Sequence, residues 1–99
     1  MPLAVKISLR AAREVREAAD WWHANRPAAP GAIGKDFGEA VSLLAEQPGI
    51  GAKHSGTRVN SLRRLYLSRV RYFIYYVADE STLKVLAFWH ASREHPPRL

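Results

Sequence analysis

At Pro48-Gly49-Ile50-Gly51 the spacing of apolar residues changes from helical to alternating. Before that point Ala11, Val15, Ala18 and Trp22 recur at intervals of four, three and four, the spacing of one helix face. Ile33, Phe37, Ala40, Val41 and Leu44 form a second such stripe. Beyond it, Val70, Tyr72, Ile74 and Tyr76 alternate with Arg71, Phe73, Tyr75 and Val77, the period of a strand. A chain of 99 residues cannot divide its apolar surface between two cores, so both halves must share one domain, residues 1–99.

The local signals place the elements. Val5 and Ile7 alternate with polar neighbours over residues 4–8, which predicts a short strand. Ser8 suits an N-cap, and a helix follows from Leu9 to about Asn25. Arg10–Glu14, Arg13–Glu17 and Arg16–Asp20 are i,i+4 pairs that belong on its wet side. Arg26-Pro27-Ala28-Ala29-Pro30 breaks it, and a second helix is predicted from about Pro30 to Gln47. Gly34 and Gly38, one turn apart, are expected to let it approach the first helix closely.

Residues 52–58 read as a polar loop. Three strands are predicted after it, Leu62–Leu67, Val70–Val77 and Thr82–His90, with turns at Ser68-Arg69 and Asp79-Glu80-Ser81. The middle strand is bulky on both faces and belongs inside the sheet. The order is β-α-α-β-β-β, an α+β fold with a small, mostly antiparallel sheet packed against a helical hairpin.

Charge follows the same division. Residues 1–50 carry six Lys/Arg and six Asp/Glu, whereas residues 51–99 carry nine basic residues against three acidic ones. Six basic residues and no acidic one lie between Lys53 and Arg71. A basic sheet half joined to a neutral helical half predicts one positive surface for a polyanion or an acidic protein segment. The chain has no cysteine, which excludes disulfides and cysteine-ligated metals. It has no apolar run of the roughly 20 residues a membrane span needs, and no basic-then-apolar leader. The expectation is a cytoplasmic protein without membrane attachment.

Five segments in this order resemble the RelE/ParE superfamily of toxins from type II toxin–antitoxin systems. They are Asp20-Trp21-Trp22, Gln47-Pro48-Gly49-Ile50-Gly51, Arg63-Arg64-Leu65-Tyr66-Leu67, Arg71-Tyr72-Phe73-Ile74-Tyr75-Tyr76 and Val85-Leu86-Ala87-Phe88-Trp89-His90-Ala91-Ser92-Arg93. The details are more similar to the ParE branch, which implies a poison of DNA gyrase held inactive by a cognate antitoxin in a hetero-oligomer. The RelE branch instead implies cleavage of messenger RNA on the ribosome by clustered basic residues and a catalytic tyrosine or histidine near the C-terminus. Here no tyrosine follows His90, and no dense lysine pair precedes the sheet. A module that binds nucleic acid without toxicity is the alternative of another class. The resemblance implies no cofactor.

For a toxin, Arg63, Arg64, Arg71, His90 and Arg93 are the candidate target-binding residues, because an arginine fork engages a carboxylate or phosphate through two parallel bonds. His90 is catalytic only in the nuclease reading; its simpler role is a half-buried residue bonded to the backbone. Trp21, Trp22 and Phe37 are candidates for an antitoxin-binding apolar patch. His23, His54, His90 and His95 lack the paired spacing of metal ligands, so no metal is predicted. No P-loop, dinucleotide fingerprint or GxSxG elbow is present.

Overall fold

Ser8 ends one element and starts the next. Its Oγ accepts the Ala11 N–H at 3.0 Å, capping a helix, and donates to the Leu86 carbonyl at 3.2 Å. The computed structural model describes residues 1–55 and 57–99. In it β1 (Ala4–Ile7) precedes this cap and α1 (Leu9–Asn25) follows. Then come α2 (Ala32–Glu46), a 3-10 turn (Pro48–Ile50), β2 (Ala52–Lys53), β3 (Arg63–Leu67), β4 (Tyr72–Ala78) and β5 (Thr82–His90). The sheet order is β1-β5-β4-β3-β2. β1 runs parallel to β5 and the other neighbours are antiparallel.

Both helices pack on one face of this sheet, as the two stripes require. Ala11 and Ala18 of α1 and Ile33, Phe37, Ala40, Val41 and Leu44 of α2 are buried against Ile74, Tyr76, Leu83, Val85 and Phe88. Phe88 lies at the centre, stacked on Tyr72 at 4.4 Å and edge-on to Phe37 at 5.5 Å. Burying each such side chain contributes about 1.5–3 kcal/mol. A smaller cluster, Leu62, Tyr75 and Ala87, fills the opposite face beneath Phe73, Trp89 and Leu99. No helix among the described residues is long and apolar enough to cross a membrane.

Register changes once inside the sheet. Tyr75 pairs with Ala87 but Tyr76 pairs with Val85, leaving Leu86 as an extra residue in β5. The bulge reverses the alternation. Leu83 and Val85 face the helices before it and Phe88 faces them after it, so Trp89 points to the open face.

Four expectations need correction. The segment after the 3-10 turn is not all loop, because Ala52 and Lys53 pair with Arg64 and Arg63. Gly56, in the same predicted loop, lies outside the described residues. β4 starts at Tyr72, not Val70, because residues 68–71 form a turn closed by Arg71 N–H to Leu67 carbonyl at 2.7 Å. Arg71 takes φ 63° there, while Val70 tucks into the core with 1% exposure. α2 begins at Ala32 behind Gly31, two residues later than Pro30. Finally, Gly34 and Gly38 are exposed with open space where a Cβ would lie, so the helices do not need them for close approach.

Candidate functional site

Adjacent residues of a strand face opposite sides of a sheet, and this separates Arg63 from Arg64. Arg63 Nη1 donates to the carbonyls of Gly51 (2.7 Å) and Gly49 (3.2 Å), tying β3 to the 3-10 turn. Arg64 lies on the open face. Its guanidinium sits 4.2 Å above the Phe73 ring, and its Nη1 donates to the Tyr75 hydroxyl at 3.1 Å. Tyr66, exposed on the same face, tilts against Phe73 at 5.1 Å.

Beside Arg64 is a hollow of about 210 Å³ that also gathers His54, Trp89, His90 and Arg93, with Glu94 as its one carboxylate among the described residues. The β5 bulge is what brings Trp89 there, and Arg93 lies 3.9 Å over its ring. His54 meets Tyr75 edge-on at 5.3 Å. Burial, and then the nearby charge of Arg64, push its pKa below the usual 6.5. It is therefore neutral at neutral pH, and the arginines carry the positive charge.

His90 is held locally. Its Nδ1 accepts the Ser92 N–H at 3.1 Å and contacts the Ser92 hydroxyl, while its ring meets Tyr72 edge-on at 4.8 Å. Burial pushes the Tyr72 phenol up, opposed by the charge of Arg93. Arg71 stands outside the hollow on its turn, although its carbonyl accepts the Ala91 N–H and so borders the same corner. Three of the five sequence candidates, Arg64, His90 and Arg93, thus come together; Arg63 and Arg71 do not. Arg69 is occupied by Asp36 in a two-bond ion pair at 2.6 and 3.0 Å. Among the described residues no three His, Asp or Glu side chains group to hold a metal ion.

The family model described as "ParE toxin of type II toxin-antitoxin system, parDE" matches residues 5–95. This chain belongs to the ParE toxin family. A solved chain from the chromosomal ParDE toxin–antitoxin system of P. aeruginosa superposes with a TM-score of 0.74 at 19% identity, over 91% of this chain and 97% of that one. That likeness supports the shared α+β fold. No curated protein matches in sequence.

Membership in a ParE toxin family implies an antitoxin partner. The three apolar candidates for that contact differ in availability. Phe37 is buried in the core and Trp22 is half-buried against it, leaving Trp21, 52% exposed, at the surface. Arg26 lies 5.9 Å from both indole rings. The buried Trp22 Nε1 has no hydrogen-bond partner among the described residues.

Trp89 and His95 were not candidates from sequence, although both line the hollow. The signal was weak. Trp89 lies in the closing motif, but its direction depends on the bulge, which alternation alone does not reveal.

Proposed function

We propose that this ParE-family chain is a growth-inhibiting toxin that binds DNA gyrase through its basic open face and is neutralised by an antitoxin. Arg64 and Arg93 are the principal contacts, with Arg71 at the rim, and they act by binding and without covalent chemistry. Their flat guanidiniums, already layered on Phe73 and Trp89, are positioned to engage carboxylate or phosphate groups on a partner. The observation that carries this reading over RNA cleavage is the state of His90. Its Nδ1 accepts a backbone N–H, which places the neutral ring's own proton on Nε2 and leaves neither nitrogen with a free lone pair for a ribose hydroxyl proton.

The antitoxin segment this surface suits is acidic and amphipathic, folding as it binds. Of Trp21, Trp22 and Phe37, Trp21 is the one most available to it.

One observation favours a second reading, the ribosome-dependent messenger-RNA nuclease. His54 lines the same hollow as Arg64 and Arg93, and burial and the Arg64 charge push its pKa down, so it and not His90 would take the proton. Inducing the chain alone in a bacterial host separates the readings. Gyrase poisoning gives growth arrest with DNA breaks and a damage response, reversed by co-expressing the antitoxin. Prompt translation arrest with cut transcripts, abolished by His54→Gln, supports the nuclease. Normal growth at matched soluble protein level rules out both and leaves the non-toxic nucleic-acid-binding module.

A further inference from the structure

The C-terminal tail crosses the open face and leaves a second, larger hollow on its other side. Trp89 Nε1 donates to the His95 carbonyl at 2.8 Å, and Arg10 Nη1 donates to the Arg98 carbonyl. Pro97, between these two anchors, is buried. Between the tail, the loop after β2 and the start of α1 lies an open cleft of about 1180 Å³.

Three guanidiniums border it, those of Arg10, Arg58 and Arg98, and no Asp or Glu side chain is among the described lining residues. Arg10 is partly neutralised by Glu14 at 3.4 Å. Arg58 and Arg98 are exposed and make no ion pair among the described residues. Trp89 and the Pro96-Pro97 pair supply a mostly apolar wall between them. A ligand complementary to both parts has a flat, weakly polar body and at least one multiply charged anionic group. Small-ligand pockets typically measure about 300–1,000 Å³, so this cleft has room for a nucleotide and part of its neighbour in a strand.

We propose that the cleft between the tail, Arg10 and Arg58 binds a nucleoside phosphate. Arg58 and Arg98 hold the phosphates as two-pronged donors, and the base rests on the Trp89–proline wall. The site is separate from the target-binding surface proposed above. Arg64 and Arg93 do not line it, although His54, Trp89 and His95 form a shared wall. The same chemistry is offered by a free nucleotide and by the end of a single strand.

Fluorescence anisotropy of labelled ATP and labelled hexathymidylate, read on the purified chain, tests this. Both probes should bind saturably, and binding should weaken as salt rises, since each phosphate contact releases counterions. The double variant Arg58→Ala/Arg98→Ala should lose at least about tenfold in affinity, and the corresponding double lysine variant should recover part of it. Lys35→Ala, which removes an exposed cation of α2 outside both hollows, should change affinity by less than about twofold. Inorganic triphosphate should compete at least about tenfold more weakly than ATP, lacking the base. Tighter binding of hexathymidylate identifies a strand as the source; equal or tighter ATP identifies the free nucleotide. Absence of saturable binding, undiminished binding by the double alanine variant, an equal loss in Lys35→Ala, or triphosphate as effective as ATP would each overturn the assignment. A melting temperature equal to that of the unaltered chain confirms that both exposed-arginine variants fold.

Discussion

Glu14 accepts the main-chain N–H of Phe88 through Oε1 at 3.0 Å, across 74 residues of sequence. β1 has ended at Ile7, opposite Val85, so the strand that would have paired this edge of β5 has turned into α1. A helix side chain completes what the ladder leaves open. The other carboxylate oxygen holds Arg10, whose guanidinium reaches the tail carbonyl of Arg98. Glu14→Ala leaves a part-buried N–H without a partner and should cost about 1–3 kcal/mol. Glu14→Gln keeps an acceptor and should cost clearly less. Urea unfolding of the two variants checks the order.

Gly34 and Gly38 lie inside α2 with empty space where a Cβ would be. Replacing either by alanine restricts the unfolded chain without a clash. Each substitution should stabilise the fold by about 0.5–1 kcal/mol. A fall in the urea midpoint on either change would disprove this account of the two positions.

Tyr76 is fully buried, yet its hydroxyl both accepts the Gly51 N–H at 2.9 Å and donates to the Pro48 carbonyl at 2.7 Å. Tyr76→Phe orphans both backbone groups and should destabilise by about 1–3 kcal/mol. A side chain at Gly51 would overlap the Tyr76 hydroxyl, so Gly51→Ala should destabilise as well. Burial raises the Tyr76 phenol above its ordinary 10.0, only partly offset by the Gly51 N–H and Arg63, and burial raises Tyr72 too. The fold therefore prefers both neutral phenols. Their contribution is complete below pH 10.0 and declines as pH rises through the folded values. Denaturation midpoints across the alkaline range should fall less steeply for Tyr76→Phe than for the unaltered chain.

Arg63 and Arg64 should separate stability from toxicity. Arg63→Ala removes two bonds to loop carbonyls and should cost about 1–2 kcal/mol, lowering activity only through lost folded protein. Arg93→Ala should leave the melting temperature nearly unchanged, Arg64→Ala should lower it modestly because the buried Tyr75 hydroxyl loses its partner, and both should reduce growth inhibition at matched protein level. His90→Gln should have a small effect. Full toxicity of the Arg64/Arg93 double alanine variant would move the working surface elsewhere on the molecule.

Helix faces, the Ser8 cap and the α-before-β order were legible in the sequence because each rests on local spacing. Asp79 shows the same: its Oδ1 accepts the N–H groups of Ser81 and Thr82, the turn its position predicts, and these bonds hold its carboxyl below the usual range. The opposition of Arg63 and Arg64 was also within reach of simple alternation. What local pattern does not reveal is the extra residue at Leu86, since a bulge depends on the partner strand. Because that residue sets the direction of Trp89, the composition of the basic hollow was hidden with it. Arg71 was misplaced for a related reason. Its alternation matches a strand, but the Leu67–Arg71 hydrogen bond bends the chain and gives it a positive φ.

β1 lies alongside β5, with Ala4 opposite Thr82. On the ribosome the first strand therefore emerges long before the one it must join, and residues 8–81 lie between them. Such a distant closure is slow relative to helix formation and cannot begin until β5 is free of the exit tunnel. The helical hairpin has its stripes ready early, but its sheet arrives last. The basic open face, built on β3, β4 and β5, therefore takes shape only after β5 has joined a sheet whose other members precede it in the chain.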